Sequence, residues 1–314
     1  MKINRVLICG NRPFTYICAS KLLHSLNYVT MLHGGADKNN VVRYVEKNKI
    51  YSDRIKVIDR LEDDDIYDVI LIDYSNEHIN KMLIDLINNR SKIIVFFGLR
   101  VDAMNISYEI NATGKYKKEV IFANATLKSI FEKNVIKNTI PSNKIVLGHP
   151  KGEIKEEVKD VLEEVFDGCD LDIEFEENMD AYLKYSTAVI LPIYFTVCKF
   201  NGKTEYIDKY STWMSMAAMD EAMLALQKMC VPEVPSKVKT FVRNHTKILF
   251  YLWLRYIRKN KKYKKWINYE INNNKKDIEQ LNLSFRKLIG DIIPLKNWKC
   301  LEKFLNNYNK NQLK

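Results

Sequence analysis

Three short segments of this chain hold residues whose types and spacing could do chemistry. The first is Gly10-Asn11-Arg12-Pro13-Phe14-Thr15, which follows the apolar run Arg5 to Cys9 and opens a helical pattern over Phe14 to Leu26. A glycine-containing turn between strand and helix is where backbone amides and the positive end of a helix can hold the pyrophosphate of a dinucleotide. Of the three glycines in a G-x-G-x-x-G turn, only Gly10 is present. Arg12 stands at the second position, where a side chain obstructs close approach, and Thr15 at the third, where it loosens helix against strand. Pro13 removes one amide donor from the helix start. Arg12 therefore has two readings: a guanidinium that replaces lost amides at a phosphate, or a solvated loop residue.

The second segment runs from Asn178 to Pro192 and carries Lys184 inside an otherwise apolar helical stretch. A lysine there is costly unless its ammonium reaches a partner or a cleft. In a reductase such a lysine donates a hydrogen bond or proton to a ketone oxygen as hydride arrives. The alternative is a lysine snorkelling from the helix edge.

A third cluster, His33-Gly34-Gly35-Ala36-Asp37-Lys38, follows the strand-like run Tyr28 to Leu32, where a dinucleotide protein recognises the adenosine ribose. No acidic residue ends that strand, and His33 with Lys38 suits a 2′-phosphate, so the expected cofactor is NADP (NADPH). Other residues carry less. Six cysteines form no CxxC pair and have no histidine at ligand spacing, so neither a zinc site nor a disulfide framework is expected. A reducing cytoplasm fits them. Asp220-Glu221 reads as a helix surface pair, His149 and His245 as isolated structural histidines, and Met214, Met216, Met219 and Met223 as core at helical spacing.

The elements that must position these residues divide into two kinds. Apolar β-branched runs at Arg5 to Cys9, Tyr28 to Leu32, Ile55 to Ile58, Val69 to Ile72 and Ile93 to Phe97 alternate with helical patterns at Phe14 to Leu26, Val41 to Lys47 and Ile79 to Ile87. That alternation predicts βαβ units and a parallel sheet. Glu119 to Ala123 and Lys144 to Leu147 extend it, a helix over Lys155 to Phe166 follows, and Leu171 to Phe175 is again strand-like. Near residue 178 the pattern turns helical, with helices expected over Met179 to Phe200, Trp213 to Cys230, Val238 to Tyr256, Lys276 to Ile289 and Leu295 to Asn306. The predicted fold is α/β: a Rossmann-like dinucleotide-binding domain over residues 1–177, then an all-helical domain over 178–314.

At 314 residues, 46% hydrophobic and 28% charged, the composition is that of a globular protein rather than a disordered one. The opening apolar stretch is too short for a signal peptide, and Ile248 to Ile257 is broken by Arg255 at half the length of a membrane span. A cytoplasmic location without a membrane span is expected. From Phe241 onward 18 Lys/Arg face 5 Asp/Glu, so the net charge of +11 belongs to the C-terminal helices. The run Arg258 to Lys265 could attract phosphates, but a solvated linker between helices is the plainer reading, and nucleic acid is not the expected partner.

Gly10 after strand one, Phe97-Gly98 after strand five, Tyr182-x-Lys184 opening the second domain and Asn201-Gly202 closing its first long helix together resemble the ketopantoate reductase family over residues 1 to about 235. The resemblance implies an NADP-dependent reductase, with Lys184 catalytic and Gly10, Asn11, Arg12, Phe14, Thr15 and Gly98 around the cofactor. It also implies a homodimer formed through the helical domain, for which Phe250, Trp253 and Leu254 offer a seam. Departures are equally plain. The family's asparagine one turn after the lysine falls on Ala188, its lysine after strand four on or beside Tyr74-Ser75, and its asparagine before the strand-five glycine on Phe97. Its C-terminal serine and glutamate motif is echoed only by Pro235-Ser236-Lys237. These point away from ketopantoate itself. The expected reaction is NADPH-dependent reduction of a 2-oxo acid or related carbonyl, and the alternative is a catalytically inactive relative that binds a nucleotide or a partner protein.

Overall fold

A computed structural model describes residues 3–32, 41–46, 49–62, 64–73, 83–133, 135–140, 142–234 and 247–308. The chain forms two compact units, Met1–Gly98 with Ala103–Met179, and Leu99–Asp102 with Asp180–Lys314.

The first unit is built on an eight-stranded sheet ordered β12-β11-β8-β7-β6-β1-β2-β5. Its strands are β1 (Asn4–Gly10), β2 (Asn27–Leu32), β5 (Lys56–Ile58), β6 (Val69–Asp73), β7 (Ile93–Phe97), β8 (Glu119–Ala125), β11 (Lys144–Gly148) and β12 (Asp172–Phe175). From β5 to β8 every pairing is parallel, and β11 runs antiparallel to β8. Strands β6 and β7 are buried at every residue, which explains their unbroken apolar sequence: both faces are covered. One face packs on α1 (Pro13–Leu23) through Ile17 and Leu22 and on α4 (Glu156–Phe166) through Val158, Leu162 and Val165. Residues 83–88 and Ala103–Thr113 form two further helices, α2 and α3. The N-terminal part of the helix expected over Ile79 to Ile87 lies outside the described residues, and α3 is not anticipated from the sequence.

The helix expected over Val41 to Lys47 is instead strand β3 (Val41–Glu46). Three valines and a tyrosine in six residues favour a pleated strand, and Val42, Tyr44 and Glu46 are buried in alternation. With β4 (Lys49–Arg54), β9 (Lys128–Glu132) and β10 (Val135–Ile140) it forms a second sheet ordered β4-β3-β10-β9. This sheet packs on α1. Tyr16 meets the Phe131 ring edge-on at 5.7 Å, and His24 Nε2 lies 2.8 Å from Asp53 Oδ1. Lys21, 4% exposed, donates to Glu46 at 3.1 Å and to Asp170 at 2.7 Å. Burial works against its charge, but these two carboxylates outweigh it and raise its pKa.

The second unit is helical: α5 (Met179–Lys199), α6 (Lys209–Lys228), α7 (Lys247–Lys259), α8 (Lys261–Asn273), α9 (Lys275–Ile289) and α10 (Lys296–Asn307). α5 is long and apolar enough to cross a membrane, yet 72% of its apolar window is buried within the protein, as in a core helix. Trp298 of α10 stacks on Phe285 at 5.1 Å, meets Phe195 edge-on at 5.4 Å, and donates its indole N–H to Asn282 Oδ1. Of the four methionines read as core, Met216, Met219 and Met223 are buried and Met214 is half-buried.

Three expectations need correction here. Glu221 is half-buried and does more than face solvent: its carboxylate accepts the backbone N–H of Asn297 and of Trp298, both at 3.0 Å, at the positive end of α10. The basic run Arg258 to Lys265 is no linker, because α7 continues to Lys259 and Asn260 caps α8 by accepting the Lys262 N–H at 2.9 Å. Leu254 is buried within the helical unit, so its own side chain is not part of an exposed seam. The side chains of Phe250 and Trp253, and the residues Pro235-Ser236-Lys237 and His245, lie outside the description.

Candidate functional site

The strand order places β2 and β5 on one side of β1 and β6, β7 and β8 on the other. Chain direction across the sheet therefore reverses between β1 and β6, and open α/β sheets bind ligands beyond the carboxyl ends of the strands at such a point. The parallel register sets Gly10, the last residue of β1, opposite Asp73, the last of β6.

Gly10 has no room for a side chain. A Cβ there would lie 2.5 Å from Thr15 Oγ1 and 2.8 Å from the Asp73 carbonyl oxygen. The missing third glycine is explained by the same contact, since Thr15 fills the space that Gly10 leaves. Thr15 is 1% exposed, and its hydroxyl donates to Asp73 Oδ2 at 2.9 Å. Arg12 occupies the extended residue before α1 and its Nη1 lies 3.6 Å from Asp73 Oδ1. That same nitrogen is the nearest atom, at 4.0 Å, to the vacant Cβ position of Gly98, whose φ of +103° only glycine adopts readily. The Arg12 side chain is 26% exposed, so the freely solvated reading does not describe it. Phe14 leans on Phe97 with ring centroids 4.9 Å apart, an apolar pair at the position where an asparagine is absent.

The structure thus gathers Gly10, Arg12, Phe14, Thr15 and Gly98 around the ends of β1, β6 and β7, with Asn11 exposed in the same loop. His33, Lys38, Tyr74 and Ser75 lie outside the described residues. Asp73 is the member that sequence reasoning misses. Its signal is a carboxylate ending the apolar strand that neighbours strand one.

Chemically the loop sets a guanidinium beside a carboxylate at the carboxyl ends of the strands. The first turn of α1 has no acidic residue and no side-chain cap, so its positive end faces the loop with the Arg12 guanidinium. Over Gly98 no atom comes closer than the Arg12 Nη1 at 4.0 Å to where a Cβ would stand.

In the helical unit, Lys184 lies in the second turn of α5. Its ammonium is paired with the carboxylate of Asp180 one turn earlier, and the two side chains are 12% and 18% exposed. The i, i+4 spacing supplies the partner that a semi-buried lysine needs. Ala188, one turn on, is fully buried and brings no polar atom. Tyr185 is buried beside Lys184 with its hydroxyl donating to the Val231 carbonyl; burial, then the nearby Glu233 carboxylate, pushes its phenol up to about 12. Among the described residues no group of three or more His, Cys, Asp or Glu could hold a metal ion.

No family model matches the chain, and no curated protein matches it. Solved structures do. A 2-dehydropantoate 2-reductase from Geobacter metallireducens GS-15 superposes with a TM-score of 0.72 at 14% identity, over 97% of this chain and 100% of its own. D-mandelate dehydrogenase, solved in a ternary structure with NADH and anilino(oxo)acetate, gives 0.68 at 14% identity over 97% of both chains. A dimeric ketopantoate reductase from Staphylococcus aureus gives 0.65 at 12% identity, over 98% of this chain and 99% of its own. The fold, a parallel-rich sheet domain followed by helices, is the ketopantoate reductase fold from end to end.

Proposed function

We propose that the chain is a nicotinamide-dependent oxidoreductase that reduces a 2-oxo acid or a related carbonyl, with NADPH as its cofactor. The observation that carries this reading is the Arg12 guanidinium held at the sheet's switch point beside Gly98 and the start of α1. Gly10 keeps the turn closed, and Arg12 binds a phosphate oxygen in place of the amides lost with the second glycine. The bound dinucleotide supplies the hydride. Lys184 donates a hydrogen bond to the carbonyl oxygen, and Asp180, one turn earlier on α5, holds its ammonium in place. Pairing through the helical unit belongs to the same reading, as in the dimeric Staphylococcus aureus enzyme.

A second reading rests on Asp73. Its carboxylate already neutralises Arg12, as expected of a relative that keeps the fold without turnover and binds a nucleotide or a protein. Calorimetric titration with NADPH and, separately, NADH on wild type and Arg12→Ala decides between them. The reductase reading expects NADPH binding weakened by about ten- to a hundredfold in Arg12→Ala, the value of one charge-assisted hydrogen bond. A 2-oxo acid screen then expects Lys184→Ala to keep nucleotide affinity while kcat falls about 10²–10⁴-fold. No detectable binding of either nucleotide overturns it.

A further inference from the structure

Between Lys247 and Lys265 the sequence holds eight Lys/Arg and no Asp or Glu, a run that covers α7 and the start of α8. Leu252, Arg255, Tyr256 and Lys259 stand at i, i+3, i+4 and i+7 along α7 and all are exposed. Two cations and two apolar groups therefore share the outward stripe of this helix, while Leu254 and Ile257 on the other side are buried.

Neighbouring elements widen the stripe into a face. Trp213 of α6, 40% exposed, stacks on Tyr251 with ring centroids 5.5 Å apart, and Tyr256 meets Tyr263 of α8 edge-on at 6.2 Å. Lys264 pairs with Glu205, which ties α8 to the short turn Thr204–Tyr206. Tyr206 and Tyr210 are 64% and 68% exposed, with Lys203 and Lys199 over their rings at 6.0 and 5.9 Å. Of the acidic side chains beside this face, Glu205 is held by Lys264, and Asp208 caps α6 by accepting the Ser211 N–H at 2.6 Å. Exposed apolar groups rimmed by cations mark an interaction surface, and charge complementarity requires an anionic partner. An anionic bilayer suits both kinds of residue: its headgroups attract Lys and Arg, and its interface takes up the amphipathic rings of Tyr and Trp. Single-stranded nucleic acid suits them less, because it stacks on open aromatic faces, and Trp213, Tyr206 and Tyr210 already have a ring or a cation against theirs. The face adjoins Lys199 at the end of α5, about 22 Å along the helix from Lys184, and is separate from the proposed catalytic lysine.

We propose that this face of the helical unit docks peripherally on an anionic phospholipid bilayer, with Arg255, Lys259 and Lys262 among the headgroups and Tyr206, Leu252 and Tyr256 at the acyl boundary. The test is co-sedimentation of the full-length protein with sucrose-loaded vesicles of phosphatidylcholine alone or mixed two to one with phosphatidylserine. Binding is expected to the mixed vesicles only, and it should weaken as salt rises. Replacing Arg255, Lys259 and Lys262 together by glutamine should weaken it about a hundredfold, since each cation near the surface contributes about fivefold. Tyr206→Ser combined with Leu252→Ser, both at exposed positions, should weaken it about tenfold and leave the salt dependence as it was, which separates insertion from simple attraction. Equal binding to both vesicle types, no sedimentation with either, or a serine variant that binds like wild type would each overturn the proposal. So would tighter binding to a single-stranded oligonucleotide, which assigns the face to nucleic acid, or a solution dimer that Leu252→Ser dissociates, which assigns it to a second copy of the chain.

Discussion

Arg12 and Asp73 make opposing demands on an incoming phosphate. The guanidinium attracts it, while the carboxylate 3.6 Å away repels it and holds the guanidinium back. Asp73 is buried and also accepts from Thr15, so removing its charge and removing its hydrogen bond are separable. Asp73→Asn keeps an acceptor for the Thr15 hydroxyl and deletes the charge. At the effective dielectric of a protein surface that repulsion is worth at least about 1 kcal/mol, so the variant should bind NADPH roughly fivefold more tightly or better. Calorimetry on the wild type and the variant under one buffer reads this directly. Weaker binding in Asp73→Asn would mean that the aspartate's chief task is to aim Arg12, and that the pair works as one preorganised donor.

At the level of elements, the end of α2 and the start of β8 are joined by a buried lysine. Lys118, 5% exposed, donates its ammonium to the carbonyls of Asn89 and Ser91. Among the described residues no carboxylate joins it, and burial brings its pKa down to about 8 from 10.5. Between those values the unfolded chain carries a proton that the native chain has released, so stability must rise with pH there, and the penalty is fully present below about pH 8. Urea midpoints should therefore climb from pH 8 to 9.5 in the wild type and stay flatter in Lys118→Met. Above that range buried tyrosines such as Tyr185 act in the opposite sense, since their native pKa is raised. A wild-type slope equal to that of the methionine variant would remove Lys118 as its cause. Elements of this kind show what the sequence discloses and what it hides. Strands β1, β2, β6 and β7 are legible because continuous β-branched runs with turn residues between them have few other uses, and Gly10 is legible because it stands where such a strand ends. The segment over 41–46 is misleading: Val41, Val42, Tyr44 and Val45 satisfy a helical spacing as well as a strand, and only pairing with β4 and β10 decides. Asp73 and Glu221 are invisible as functional groups because their partners, Arg12 and the start of α10, lie 61 and 76 or more positions away.

Over the whole molecule, charge is distributed unevenly along the chain. The net +11 arises from the C-terminal stretch, with 18 Lys/Arg against 5 Asp/Glu from Phe241 onward, while the remainder is slightly acidic. Lys259, Lys261, Lys262 and Lys265 of α7 and α8 are exposed. A positive protein gathers anions from solution, and that long-range attraction is screened once the Debye length falls toward 10 Å or less. If the substrate is a 2-oxo acid, its carboxylate feels this field, whereas the corresponding ester does not. The expectation is that kcat/KM for the acid falls several-fold between about 10 and 150 mM salt, while that for the ester stays level. The effect should appear in kcat/KM and spare kcat, because steering acts before the substrate is bound. Steady-state kinetics at three salt concentrations on both compounds would check it. A salt dependence shared equally by the neutral ester would assign the effect to cofactor binding at Arg12 instead, where the phosphate carries the charge.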